Sequence, residues 1–399
     1  MDHILFARQP IVDREKTIIG YELLFRSDAP LSSLDGDLAT SQVLLNAFTE
    51  GEIEAVVSSG KAFVNFTEQL LINPPPFGKD KLVVEILETV ELSPEVRQAI
   101  RRLHEEGFSL ALDDYVPGTI YDELLPYIDI VKLEFPAIPS AQLQDTINNL
   151  KRHKVALLAE KIETHDDFYR CRDMGCDYFQ GYFFSKPELV TGRKMPQNKV
   201  AIMQLITQVN QPTMSITDIT QIISRDPSLS VKLLQLVNSA AFRRSDTVGS
   251  IHMAVMILGI TRIKSWATLL ALSNIDGKPD ALITLSLIRA RMCELLALKL
   301  EPAAREIYFT VGLFSCLEAF FDLPFPEILT KLPLDPRISD ALVKYKGKPG
   351  LALNTAVHYE RCRFDSIHWN LLEKMNISKQ EVCDIFRESI IWARESSVN

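Results

Sequence analysis

Polar side chains punctuate short apolar, β-prone runs at regular intervals through the first half of the chain. Asn65 falls at the end of AFVNF, Glu85 closes LVVE, and Asp113 with Asp114 closes FSLALDD. Lys132 lies inside IDIVKLEF, Glu160 closes VALLAE, and Gln180 opens QGYFF. From Asn65 through Glu85, Asp113, Lys132 and Glu160 to Gln180 the spacings are 20, 28, 19, 28 and 20 residues. Each interval suits one strand, one helix and two loops, the repeat of a (β/α)8-type, TIM-like barrel whose strand C-termini share one rim. Four acids, two amides and a lysine on one rim make an oxygen-rich site suited to Mg²⁺ or Mn²⁺ and an anionic substrate. A lone acid ending a buried strand is more often a helix cap or a loop ligand; the shared register favours a site. Lys132 is the residue least expected on structural grounds, because lysine is almost never buried unpaired.

The elements that must position these residues follow from local pattern. EVRQAIRRLHEEG is an amphipathic helix that stops at Gly107, and AQLQDTINNLKRHK is a second, leading into VALLAE. Residues 1–190 are thus predicted to form the barrel. ELVTGRKMPQNK loses all periodicity, which places a linker at 191–198. Beyond it the β signal nearly vanishes. ITDITQIISRDPSLSVKLLQLVNSAAF holds two helices, the first capped by Thr217 or Asp218 and the second by Asp226 with Pro227 at N1. An all-α domain is predicted over 199–385, with 386–399 as a C-terminal tail.

At 399 residues the chain exceeds the size at which one core stops growing, so two domains are expected. A net charge of −9 argues against broad nucleic-acid binding, which needs a basic face. No run approaches the ~18–20 apolar residues of a membrane span, and charges arrive too early in MDHILFARQPIVD for a secretory signal. The six cysteines show no repeated CxxC spacing and read as reduced thiols of a cytoplasmic protein.

GYELLFR adds Glu22 and Arg26, which share a face in a strand. Here the sequence resembles the EAL family of cyclic di-GMP phosphodiesterases. ELLFR fits E-x-L-x-R, and VNF, EILE, LDD, VKLE, AEKIE and QGYFFSKP follow in the family's order. The resemblance implies a metal shell of Glu22, Asn65, Glu85 and Asp113, with Asp114 reaching a second ion. It implies that Lys132 stabilises phosphate charge or positions water, that Glu160 orients or deprotonates that water, and that Gln180 completes the rim. Gln9 and Arg26 would hold the phosphates of cyclic di-GMP, and Glu88 and Glu163, the latter in the last-but-one motif, would support the loop after the paired aspartates.

Departures accompany the matches. The loop D-D-F-G-x-G-x-S-S reads Asp113-Asp114-Tyr115-Val116-Pro117-Gly118-Thr119-Ile120. A β-branched Val116 resists positive φ, so a different path is expected over Tyr115–Tyr121, with Asp114 holding the second ion less well. Glu134 replaces the aspartate of K-I-D, and Lys161 the glycine of A-E-G-V-E. These changes leave two readings open: hydrolysis of cyclic di-GMP to linear pGpG, toward which the acid set leans, or a barrel that binds cyclic di-GMP or a protein without turning it over.

In the helical half, RDPSLSVKLLQLVNSAAF, IHMAVMILGITRI and FTVGLFSCLEAFF resemble the HDOD family, an all-α relative of HD phosphohydrolases. The HD position reads Ser315-Cys316, and His165-Asp166, in the barrel half, reads as a helix start. The resemblance as a whole is to EAL-HDOD signalling proteins. It implies a regulatory module with an unidentified protein partner and allows a homodimer.

Overall fold

The computed structural model describes residues 4–27, 57, 60–74, 78–135, 140–186, 197–211, 213–239, 248–275, 278–332 and 334–396. Two compact units divide the chain, Met1–Phe183 and Phe184–Asn399.

The first unit is a closed barrel in which each strand neighbours the next: β1 (Ile4–Val12), β2 (Ile18–Ser27), β3 (Lys61–Phe66), β4 (Leu82–Ile86), β5 (Ser109–Leu112), β6 (Ile130–Glu134), β7 (Ala156–Glu160) and β8 (Tyr178–Gln180). Seven strands run parallel, but β1 runs antiparallel to both β2 and β8. The turn between β1 and β2 is too short for a crossover helix, which a parallel pair requires; Asp13 closes it by accepting from the Thr17 amide at 2.8 Å.

Ile11, Phe63, Val83, Ala111, Ile130 and Leu158 form the buried core cluster inside the barrel. Period-two alternation then sends the residue two positions on to the same interior face. From Phe63, Val83, Ala111, Ile130 and Leu158 that step leads to Asn65, Glu85, Asp113, Lys132 and Glu160. From Tyr178, packed against the same cluster, it leads to Gln180. On reversed β1 the order inverts, with Gln9 two residues before Ile11. The corresponding partner of Glu22 is Gly20, where an added Cβ would stand 2.9 Å from the Phe63 ring. The missing side chain makes room for that ring.

Capping sets the helix ends. Helix Pro94–Glu105 starts from Ser93, whose Oγ accepts from the Val96 amide. His165-Asp166 opens helix His165–Met174 behind a Thr164 cap.

Among the described residues of the second unit every regular element is a helix. Helix Ile216–Ser224 is capped by Ser215, not by Thr217 or Asp218. Asp218 is instead the returning partner of a capping box, its carboxylate accepting from the Ser215 amide. Asp226 caps helix Pro227–Val237, with Pro227 in the first turn. Residues 191–196 of the expected linker lie outside the described residues, and 197–198 open helix Gln197–Val209. The expected tail 386–399 begins inside helix Lys379–Ser396, because Phe386, Ser389, Ile390, Trp392, Ala393 and Ser396 form its buried face. Trp392 packs with Trp266 and Phe309 at centroid distances of 5.7 and 6.0 Å. Among the described residues no single helix is long and apolar enough to cross a membrane.

Candidate active site at the barrel rim

Lys132 projects from the middle of β6 into the barrel, and its side chain is 1% exposed. Nζ lies 2.7 Å from Glu85 Oε1, 2.7 Å from Asp113 Oδ1, 3.0 Å from Glu160 Oε1 and 3.7 Å from Glu22 Oε1. Strands β2, β4, β6 and β7, with the residue just after β5, thus meet at one charged centre. Asn65 donates Nδ2 to Glu22 Oε1 at 3.4 Å. Gln180 donates Nε2 to Gln9 Oε1 at 3.0 Å and also to Glu22 Oε2.

Negative charge exceeds positive here, and the titrations reflect it. Burial lifts the Glu85 carboxyl well above its ordinary range, against the opposing field of Lys132. Burial likewise pushes Glu160 up to about 8, with Asp113 and Glu22 adding to the shift. For Lys132 burial acts the other way, but the surrounding carboxylates raise its pKa well above the usual value. The ammonium stays charged.

The site still has unspent acceptors. Asn65 Oδ1, both Glu85 oxygens, Asp114 Oδ1 and Gln180 Oε1 are buried without a hydrogen bond of good geometry, the ion pair to Glu85 aside. Buried acceptors of this kind normally have partners. Asp113, Asp114 and Glu160 offer oxygens that all lie within 4.8 Å of one another. An all-oxygen donor set with orphaned acceptors fits a hard divalent cation.

The other predicted residues fall into three groups. Arg26 lies in β2 opposite Leu5, and its side chain lies outside the described residues. Glu163 is exposed between β7 and the following helix. Glu88 has an exposed side chain and holds the loop through its backbone: the Tyr121 hydroxyl donates to the carbonyls of Glu88 at 2.7 Å and Val90 at 2.8 Å. Asp122 completes the loop, accepting from the Tyr115 hydroxyl at 2.6 Å and from the Gly118 amide at 3.1 Å. The left-handed residues are Asp114 at φ 39° and Gly118 at φ 80°; Val116 is not among them. Sequence reading missed Tyr121 and Asp122, whose only signal was their place just beyond the altered motif.

It also missed a pairing. Lys161 Nζ lies 2.7 Å from Glu134 Oε2, so two substitutions noted separately contact each other. Lys161 takes φ 56°, a conformation that favours glycine.

In the helical unit, Ser315 and Cys316 surround a guanidinium. Buried Arg289 donates Nη1 to Ser315 Oγ at 3.1 Å and to Cys316 Sγ at 3.4 Å, and pairs with Glu360 through Nε at 2.8 Å and through Nη2. Gly312 lets helix Arg305–Phe314 close on helix Asp280–Leu300: a Cβ there would stand 2.3 Å from the Arg289 carbonyl oxygen.

Comparison with known proteins accords with this division. The EAL domain matches residues 52–187 and the HDOD domain residues 195–323. The chain is 31% identical to Uncharacterized protein YuxH of Bacillus subtilis, over 98% of each. It is 32% identical to Cyclic di-GMP phosphodiesterase CdgJ of Vibrio cholerae, over 98% of this chain and 92% of that one. A solved standalone EAL protein from Vibrio cholerae, bound to c-di-GMP, is 22% identical, covering 46% of this chain and 92% of its own, with a TM-score of 0.38.

Proposed function

The chain belongs to the family of proteins in which an EAL domain is followed by an HDOD domain, and from that premise we propose that its barrel hydrolyses cyclic di-GMP to linear pGpG in a signalling role. The observation that carries the proposal is the meeting of Glu22, Glu85, Asp113 and Glu160 around one buried ammonium on a barrel rim. In this reading Glu22, Asn65, Glu85 and Asp113 hold one Mg²⁺ or Mn²⁺, and Asp113, Asp114 and Glu160 a second. Such cations lower the pKa of water and offset charge that develops on a phosphodiester.

The chain's own groups do the rest. Glu160 accepts the proton of the attacking water as the general base of the step. The water oxygen bonds to phosphorus, the P–O3′ bond breaks, and the departing O3′ takes a proton from solvent, leaving the linear dinucleotide. Lys132 fixes Glu85, Asp113 and Glu160 against their mutual repulsion and faces the phosphate with positive charge. Gln180 holds Glu22 and Gln9, and Gln9 with Arg26 takes the phosphate not under attack. The helical unit acts as a regulatory module with a protein partner. The cytoplasm suits the six free cysteines.

Purified protein with cyclic di-GMP and Mn²⁺ or Mg²⁺ is expected to yield pGpG by chromatography, and Glu85→Ala to abolish that product. Absence of both product and cyclic di-GMP binding would reject the reading; full activity in Glu85→Ala would move the chemistry elsewhere.

A further inference from the structure

The Lys161–Glu134 pair stands directly beside the outer carboxylates. Lys161 follows Glu160 in the chain, and Glu134 is the cross-strand partner of Glu160 in the β6–β7 register. Both side chains are partly exposed, 55% for Lys161 and 32% for Glu134, so the pair lies toward solvent from buried Lys132. Asp114 and Glu160 both act on the Lys161 charge, after burial and the Glu134 hydrogen bond. Two neighbouring residues here take left-handed backbone, Asp114 at φ 39° and Lys161 at φ 56°. A lysine resists that conformation, and such an outlier persists where its surroundings over-determine it. The side chain is thereby aimed along the rim and anchored one strand over.

A fixed positive charge at this place has a definite effect. Asp113, Asp114 and Glu160 bring carboxylate oxygens within 4.8 Å of one another, close enough for one metal ion. The ammonium opposes the entry of a dication, and Glu134, 2.7 Å from it, holds it in place. We propose that the Lys161–Glu134 pair is a built-in competitor that sets how weakly the outer Asp113–Asp114–Glu160 trio takes its divalent cation. The inference rests on the metal-site reading above and adds a residue that tunes occupancy. Lys161 is a positioning residue: it acts on the ion through its field, not on the substrate.

The test is Mn²⁺ titration by calorimetry on the full chain without substrate. Lys161→Gln removes the charge, and the weaker Mn²⁺ affinity is expected to rise about tenfold, the order expected for one unit charge acting across several ångströms at a protein surface. The gain should shrink as salt rises, since exposed charges are screened. Lys161→Arg keeps the charge and should match the parent, whereas Glu134→Gln frees the ammonium and should weaken binding further. Unchanged Mn²⁺ affinity in Lys161→Gln, with the parent binding normally, overturns the inference and leaves the metal site standing. No Mn²⁺ binding by either protein overturns both.

Discussion

Glu160 bears the cost of gathering carboxylates in a buried space, and its titration makes that cost measurable. Its pKa, lifted to about 8 from 4.5, means that the metal-free fold favours the protonated acid. A group whose folded pKa exceeds its unfolded value stabilises the fold below the unfolded pKa, and that contribution is lost as pH rises through the folded value. In EDTA the thermal midpoint is therefore expected to fall between pH 4.5 and about pH 8. Added Mn²⁺, which must displace the proton, should restore more of it at pH 8 than at pH 6. Scanning calorimetry of Glu160→Gln should show a flatter profile; an unchanged slope would assign the titration to another group. At this scale the sequence was informative because Gln9, Asn65, Glu85, Asp113, Lys132 and Glu160 each lie two positions from a core residue, and alternation carries both to the interior. The Lys161–Glu134 contact was not legible. It depends on a left-handed backbone at Lys161, which residue type argues against.

At the scale of elements, the buried cation recurs. Arg289, on helix Asp280–Leu300, ties the end of helix Arg305–Phe314 to helix Gly347–Glu360. Losing one partner of a buried ion pair costs about 3–5 kcal/mol, whereas replacing both by apolar groups is often close to neutral. Glu360→Gln should thus destabilise the helical unit strongly, and Arg289→Met with Glu360→Leu far less. Trp266, Trp369 and Trp392 are the chain's three tryptophans, and all lie in this unit, so urea unfolding followed by tryptophan fluorescence reads it selectively. A double variant as unstable as the single one would refute the ion-pair account. Sequence pattern revealed the helices through their periodicity and caps, yet it placed Ser315 and Cys316 only by analogy. Arg289 was invisible because it sits 26 residues away from Ser315, inside an apolar helix whose pattern marks no partner. The expected tail was misjudged for a related reason. Its charged residues dominate the eye, while Phe386, Ile390 and Trp392 carry the packing.

For the whole molecule, each unit has its own core, and the second should stand alone. Residues 184–399 expressed by themselves are expected to give a helical circular dichroism spectrum, to unfold cooperatively, and to leave cyclic di-GMP intact in Mn²⁺. Hydrolysis by that fragment would overturn the assignment of chemistry to the barrel. The direction of β1 has a practical corollary. Ile4 pairs with Ser27, beyond Glu22 on β2, while Val12 pairs with Ile18 at the opposite end. The chain consequently enters the barrel from the side that carries the acids. A reporter fused ahead of Ile4 through a short flexible linker would be tethered over the mouth at an effective concentration on the order of millimolar. Such a reporter samples the site from the side on which a substrate must arrive.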